Sequence, residues 1–393
     1  MENKISLLVF SPYYPPHIGG LENHAEQFTA HMASAGYSIS IFTPHIPSSS
    51  LVDEYISSNI HIIRFPAFEI ITGYPVPKFW QKLFWQQLRE SRKESFGVVI
   101  SRTRFFLTSG MAWLYARTTG IKYLHIEHGS DYVQLSNPVI CILAKFYDKT
   151  FGRFVLDHAD AVIANSKASG RFVQLLTHQK ITPSIIYRGV EKNHIEEIFP
   201  DITIKNNYSG KTIITYAGRL ISGKGVADLL QAMYFLSSYE GEKQRLQLII
   251  IGDGPQRQEL EHLVEQLNIK NFVSFLGEKT PDEVISIIKS SDIIVNPSYT
   301  EGLPSSLLEA SICKKAIIAT DVGGTSEIIQ NNVSGILITP RNSEELADAI
   351  RLLSNDEQKR HDLGIHAYVF ICDTFSWDTA VQKYKAVFNS LKN

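Results

Sequence analysis

Short apolar runs alternate with helical patterns along almost the entire chain. Residues 5–11, 38–42, 60–65, 97–101, 123–127, 161–164 and 184–187 form a first series of candidate strands. Their unbroken Val, Ile, Leu and Phe character predicts a parallel sheet covered on both faces, because a sheet wetted on one side would alternate apolar with polar. A second series follows at 212–217, 247–252, 273–276, 293–296, 316–320 and 335–338. The polar stretch 191–211 holds few core candidates and is expected to be the interdomain linker. Alternating strands and helices on both sides predict two doubly wound α/β domains, over 1–190 and 191–374. Over 375–393, Trp377, Val381, Tyr384, Val387, Phe388 and Leu391 fall on one stripe at helical spacing. Such a stripe needs a surface to cover, and the core of the second domain would serve.

Composition narrows the class. The 393 residues, 44% hydrophobic and 20% charged, suit two globular domains and exclude a coiled coil or a wholly disordered chain. No apolar run approaches the roughly 18 residues of a membrane span. The apolar start is too short for a secretory core segment and runs into prolines rather than a cleavage site. Three widely spaced cysteines, Cys141, Cys313 and Cys372, support neither a disulfide framework nor a zinc site, and fit a reducing cytoplasm. The net charge of −2 conceals an asymmetry. Residues 1–190 carry 18 Lys and Arg against 13 Asp and Glu, and the remainder 20 against 27, giving +5 and −7. A basic first half suggests an anionic neighbour, although drift between two domain surfaces gives the same sums.

In open α/β sheets ligands sit beyond the carboxyl ends of the strands, so chemistry is sought in the loops there. The first strand leads into Ser11-Pro-Tyr-Tyr-Pro-Pro-His-Ile-Gly-Gly20 and then a helix. Gly19 and Gly20 at a helix start would admit an anion to backbone N–H groups, or simply make a turn. The spacing is not the Gly-x-Gly-x-x-Gly of dinucleotide sites. The second half opens with Tyr216-Ala-Gly-Arg-Leu-Ile-Ser-Gly-Lys-Gly-Val226 at a strand exit. Arg219 and Lys224 could neutralise a diphosphate there, the first as a fork and the second as a point charge, or could be solvated surface cations. The strongest local pattern is Asn296-Pro-Ser-Tyr-Thr-Glu-Gly-Leu-Pro-Ser-Ser-Leu-Leu-Glu-Ala310. With Pro304 as a first helical residue, the N–H groups of Ser305, Ser306 and Leu307 would face outward, ready for phosphate. Glu301 would stand before the turn and Glu309 one turn beyond Ser305, unless the first merely caps the helix and the second is solvated.

Taken together these segments resemble the family-4 retaining glycosyltransferases of GT-B fold. The resemblance is carried by Glu301-x7-Glu309 with Gly302-Leu-Pro304, by Gly218-Arg-Leu-Ile-Ser-Gly-Lys-Gly225, and by the Gly19-Gly20 loop. Ile251-Gly-Asp-Gly-Pro255, Phe275-Leu-Gly277, Asp321-Val-Gly-Gly-Thr-Ser-Glu327, His128-Gly-Ser-Asp131 and Phe375-Ser-Trp377 follow in the expected order across nearly the whole chain. The resemblance implies two Rossmann-like domains facing across a cleft, with a final helix over 375–393 crossing back to the first. It implies that Arg219 and Lys224 hold the donor pyrophosphate, that Glu301 contacts hydroxyls of the transferred sugar and that Glu309 binds the ribose. Gly302, Leu303, Pro304, Gly19 and Gly20 would complete the phosphate and sugar contacts, His128 would lie beside the donor sugar, and backbone near Lys279 would face the base. Two positions depart from the pattern: Arg188 adds a cation at the end of the first domain, and Gly223 stands where an acidic residue often precedes Lys-Gly, which should loosen that loop.

The implied reaction moves a hexose or N-acetylhexosamine from a UDP- or GDP-sugar to a glycan or lipid-linked glycan, in polysaccharide or lipopolysaccharide assembly. No Asp-x-Asp asks for a divalent metal, so neither metal nor cofactor is expected and the two cations should serve the diphosphate. Glu127 and Asp131 are the carboxylates near His128 in sequence that double displacement could use; the resemblance favours front-face attack instead. Residues 77–93 mix aromatics with cations: Phe79, Trp80, Leu83, Phe84 and Leu88 share a helical face among Lys78, Lys82, Arg89, Arg92 and Lys93. That suits contact with an anionic membrane at the inner face, a lipid-phosphate acceptor site, or a plain helix over the sheet. No dense basic stripe suggests nucleic acid. A non-catalytic nucleotide-sugar-binding or partner subunit, or a GT-B epimerase or phosphorylase, is the alternative.

Overall fold

A computed structural model describes residues 5–17, 19–71, 74–132, 138–238 and 245–391. The chain divides into two compact units, one of residues 1–132, 142–189 and 377–393, the other of 133–141 and 190–376.

The first unit is built on β1 (Ser6–Phe10), β2 (Ser38–Pro44), β3 (Asp53–Ser57), β4 (Ile60–Phe65), β5 (Ala67–Ile71), β6 (Tyr74–Pro77), β7 (Val98–Arg102), β8 (Lys122–Glu127), β9 (Ala161–Ala164) and β10 (Ser184–Ile185). Eight of these form one sheet in the order β10-β9-β8-β7-β1-β2-β4-β3. All its pairs are parallel except β3 with β4. Leu7, Val9, Ile39 and Ile41 point to one side, against Phe28 and Met32 of the helix Gly20–Ser34. Leu8, Phe10 and Phe42 point to the other, against Phe84, Ala112 and Tyr115. Two buried faces explain why these strands read as continuous apolar runs. The helix Trp377–Ser390 belongs to this unit and seals its first face with Trp377, Val381, Tyr384 and Phe388. Tyr384 meets Phe28 edge-on at 4.9 Å, and Phe388 meets Tyr37 at 5.6 Å.

The second unit holds β11 (Thr212–Ala217), β12 (Leu246–Ile251), β13 (Val273–Gly277), β14 (Ile293–Asn296), β15 (Ala316–Thr320) and β16 (Ile336–Ile338). They form one parallel sheet in the order β13-β12-β11-β14-β15-β16. Ile214, Leu248 and Ile250 pack on the helices Val226–Ser237 and Ser343–Asn355, while Ile213, Ile249 and Ile251 meet Ile204 and Ile287 behind.

Several expectations need correction. The stretch 191–211 is not a plain linker, because the short helices Lys192–Glu197 and Ile202–Asn207 bury Ile195 and Ile204, the latter in the second unit's core. β3, β5 and β6 escape the apolar-run pattern: β3 is exposed at the sheet edge, and β5 and β6 form a separate Pro-containing hairpin. In the segment 77–93 only Lys82–Ser91 is helical, so Phe79 and Trp80 precede the helix. Phe84 is buried, with Leu88 packed partly against the same core, while Leu83 and Trp85 stay exposed; the five residues expected on one face are split between core and solvent.

Candidate active site

Each sheet has a point where strand order reverses, and the loops leaving the carboxyl ends there form a crevice that suits a ligand. In the second unit that point lies between β11 and β14. The loop after β11 carries Arg219 and Lys224, and the loop after β14 carries Glu301. The two are locked together through backbone. Gly225 has φ +65°, and a Cβ there would stand 2.0 Å from the Pro297 carbonyl oxygen. Only glycine meets both demands without strain. The Tyr299 N–H donates to the Gly223 carbonyl at 2.8 Å. Gly223 is therefore buried and pinned, and the loop is not loosened there as expected.

This clasp brings Lys224 and Glu301, 77 residues apart, into a 2.6 Å ion pair. Glu301 Oε1 also accepts from Ser298 Oγ at 2.7 Å and Asn296 Nδ2 at 3.4 Å. The Glu301 carbonyl receives the Gly324 N–H at 3.2 Å, which ties in the Asp321–Thr325 loop beyond β15. Glu301 is thus a buried, oriented carboxylate and not a helix cap. Its charge adds to burial in pushing the Tyr216 phenol far above its usual range. Arg219 is exposed, with its carbonyl held by the Tyr216 hydroxyl at 2.9 Å.

The helix after Glu301 is Ser305–Ile312, with Pro304 as its N-cap at φ −70°, ψ 114°, one residue later than expected. The Leu307 N–H turns back to the Pro304 carbonyl at 3.2 Å, so it is not among the outward-facing donors. Gly302 is half-buried, Leu303 and Pro304 are buried, and Glu309 is half-buried on the second helical turn. Lys279 lies after β13 and pairs at 3.3 Å with Glu283 of the helix Pro281–Ser290.

In the first unit the order reverses between β1 and β7. Gly19 and Gly20 open the helix Gly20–Ser34, and Ile18 before them lies outside the described residues. A Cβ on Gly19 would stand 2.3 Å from Glu22 Oε2, so the Glu22 carboxylate occupies the space beside that turn, where it also pairs with His17 at 2.6 Å. One turn along, His24 is buried. Its Nδ1 accepts from Arg102 at the end of β7, a guanidinium with 0% exposure. Arg102 Nη2 is also 3.4 Å from His128 Nε2, and His128 Nδ1 is 3.3 Å from Thr103 Oγ1. Arg102 Nε and Nη1 have no protein partner. Burial, then the Arg102 charge, hold both His24 and His128 well below the usual imidazole range, so both rings are neutral near neutrality. Burial likewise lowers the Arg102 guanidinium, to about 10. Arg188, the cation of unassigned role, is buried and donates to Gln27 on the same first helix at 2.6 Å.

The His128 loop hangs from Glu127. Its carboxylate accepts the N–H groups of His128 and Gly129 at 2.9 and 2.7 Å, Arg104 Nη1 at 3.0 Å, and His125 Nε2 at 3.3 Å. Arg104 reaches on to Asp148 at 3.0 Å. Burial would raise the Glu127 carboxyl, but Arg104 and His125 outweigh it and keep it ionised well below the usual range. Fully buried and so heavily engaged, Glu127 cannot act as a nucleophile. Asp131 is exposed, with Oδ1 on its neighbour's N–H at 2.7 Å. Sequence reasoning missed His24, Arg102, Ser298 and Asn296. The available signals were His24 four residues past Gly20 and an arginine at a strand exit. Among the described residues no three His, Cys, Asp or Glu side chains gather as metal ligands.

Two doubly wound units, each gathering polar side chains at its strand exits, have the architecture of the GT-B fold. The family model for Glycosyltransferase Family 4 matches residues 18–194, and that for Glycosyl transferases group 1 matches 198–370. A glycosyltransferase of Methanocaldococcus jannaschii is 37% identical over 395 residues, covering 99% of this chain and 100% of its own length. The chain belongs to this glycosyltransferase family. Among solved structures, sucrose-phosphate synthase of Thermosynechococcus elongatus superposes with a TM-score of 0.80 at 19% identity, over 99% of each chain. Anabaena HepE, solved in complex with UDP-glucose, superposes at 0.75 and 18% identity, over 98% of this chain and 100% of its own.

Proposed function

We propose that this glycosyltransferase moves a hexose or N-acetylhexosamine from a UDP- or GDP-sugar, with retention and without a divalent metal, to a glycan or lipid-linked glycan. The reading is supported above all by the Lys224–Glu301 pair at the strand-order reversal of the second unit, beside the helix start at Ser305. Breaking the anomeric bond leaves negative charge on the diphosphate. Lys224 and Arg219 meet that charge, and fixed donors of this kind are worth roughly 2.7–4 kcal/mol each in a transition state. Glu301, held by Ser298 and Asn296, fixes Lys224 in the absence of donor and presents its carboxylate to sugar hydroxyls when donor is bound. Glu309 takes the ribose, and Gly302, Leu303, Pro304, Gly19, Gly20 and the backbone near Lys279 line the donor. His128, kept neutral, offers its ring to the sugar without becoming a charged acid. With Glu127 consumed in holding that loop, front-face attack is favoured, the departing phosphate oxygen taking the acceptor's proton. The work is done at the cytoplasmic face of an anionic membrane, on which the exposed side chains of the segment Lys78 to Lys93 rest.

The test is transfer by the purified chain. Glu301→Ala, and Arg219→Ala combined with Lys224→Ala, should each lower the rate by at least about a hundredfold while the chain stays folded, as read by circular dichroism. Full activity in these variants defeats the assignment. A panel of nucleotide sugars read by thermal shift identifies the donor as the one that stabilises the folded chain.

A further inference from the structure

Among the large apolar side chains that the first unit exposes, two groups stand at either end of the β5–β6 hairpin. Around the turn before the helix Lys82–Ser91, Phe79, Trp80, Leu83 and Trp85 all stand in solvent, Trp80 at 70% exposure. The Trp85 indole donates to the Phe79 carbonyl at 2.7 Å, which folds that ring over the turn. Phe68 of β5 lies 5.9 Å from the Trp80 ring and continues the patch onto the β5–β6 hairpin.

The second place was not visible in the sequence pattern. In the helix Pro138–Tyr147, Ile142 and Phe146 are 69% and 68% exposed, with Leu143 beside them. Residues four apart share a face, so this helix turns an apolar stripe outward. Lys145 and Lys149 flank that stripe and are exposed, whereas Asp148 between them is turned inward to Arg104. The hairpin joins the two places: at its other end the Tyr74 and Tyr147 hydroxyls are 3.1 Å apart, and both rings pack on Phe105.

Charge decides what covers this surface. Residues 67–93 carry five cations against two carboxylates. Both carboxylates are engaged, Glu90 by Lys93 at 2.6 Å and Glu69 by the Tyr13 hydroxyl. Lysines interleaved with tryptophan are poor material for a protein interface, whose core is depleted of lysine. They suit a bilayer interface, where apolar rings sink to the headgroup level and lysine stems reach back to lipid phosphates. We propose that the two patches and the hairpin between them form one docking rim that seats the first unit on an anionic lipid bilayer. The rim rests on the membrane reading proposed above and extends it from the Lys78–Lys93 segment to the hairpin and to Ile142, Leu143 and Phe146; the transfer chemistry does not enter it.

Flotation with vesicles of phosphatidylcholine, with and without phosphatidylglycerol, tests it. The full chain should float with the anionic vesicles, with a blue shift of tryptophan emission from Trp80 and Trp85. Ile142→Asp with Phe146→Asp should abolish flotation, and Lys145→Ser with Lys149→Ser should weaken partitioning about thirtyfold, at roughly a kcal/mol per cation. Because these positions are exposed, the variants should melt like wild type and keep the same nucleotide-induced thermal shift. Loss of transfer activity alone leaves the rim standing. Failure to float, flotation equal in all variants, or lipid-free self-association that the Asp variants abolish each overturns it.

Discussion

His24 and His128 make stability of the first unit depend on pH in a way that can be calculated. Both are held neutral in the fold by burial and by Arg102, whereas in the unfolded chain each titrates near 6.5. Below that value the unfolded state binds protons that the folded state refuses, so stability rises with pH and is lost as pH falls. The slope is about 1.4 kcal/mol per pH unit for each histidine. From about pH 7 to about pH 5 that sums to roughly 2 kcal/mol for His24 and somewhat less for the half-buried His128, a large share of a typical total of about 5–15 kcal/mol. The depressed Glu127 carboxyl adds its own loss only below its ordinary value of 4.5. Glu26 and Asp148, whose carboxyls burial pushes up, titrate with the opposite sign in the same range. The comparison is therefore between wild type and a His24→Gln, His128→Gln variant, in which those groups remain. All four tryptophans, Trp80, Trp85, Trp113 and Trp377, lie in the first unit, so urea unfolding followed by their fluorescence reports that unit alone. The variant should lose about 3–4 kcal/mol less than wild type on acidification. Equal losses, or an imidazole of His24 titrating near 6.5 by NMR, would refute the account.

Three further outcomes follow from the geometry. Gly225→Ala, with positive φ and the Pro297 oxygen 2.0 Å from the new Cβ, should cost about 1–3 kcal/mol and, on the proposed function, blunt the thermal shift given by the donor nucleotide, read by melting with and without it. Glu127→Gln should destabilise the first unit by roughly 3–5 kcal/mol in urea, since among the described residues Arg104 then keeps only Asp148 as counter-charge. On the proposed function, in which Arg219 and Lys224 meet the diphosphate charge, transfer should proceed unchanged in excess chelator; strict dependence of the rate on added magnesium would sink that role.

The strands were legible because both faces of each sheet are buried, which leaves unbroken apolar runs such as Leu248 to Ile251. β3 was illegible for the opposite reason, lying exposed at an edge. The linker was misread because each of its helices commits only one residue, Ile195 or Ile204, to a core. Within the candidate site, loop positions could be placed by strand exits, but pairings could not. Lys224 with Glu301 and Arg102 with His24 are contacts between residues 77 and 78 positions apart. Nothing local in either segment encodes them; strand order does. The aromatic segment before Ser91 misled because helical spacing was applied to Phe79 and Trp80, which precede the helix.

The helix Trp377–Ser390 has a consequence for biosynthesis. A ribosome delivers the sheet of the first unit early, yet Trp377, Tyr384 and Phe388, which roof one of its faces, emerge only after every strand of the second unit. A nascent chain therefore carries an uncovered greasy flank, including Phe28 and Met32, throughout most of translation. Arrest before residue 377 would leave a finished second lobe tethered to an unfinished first one, a natural client for chaperones.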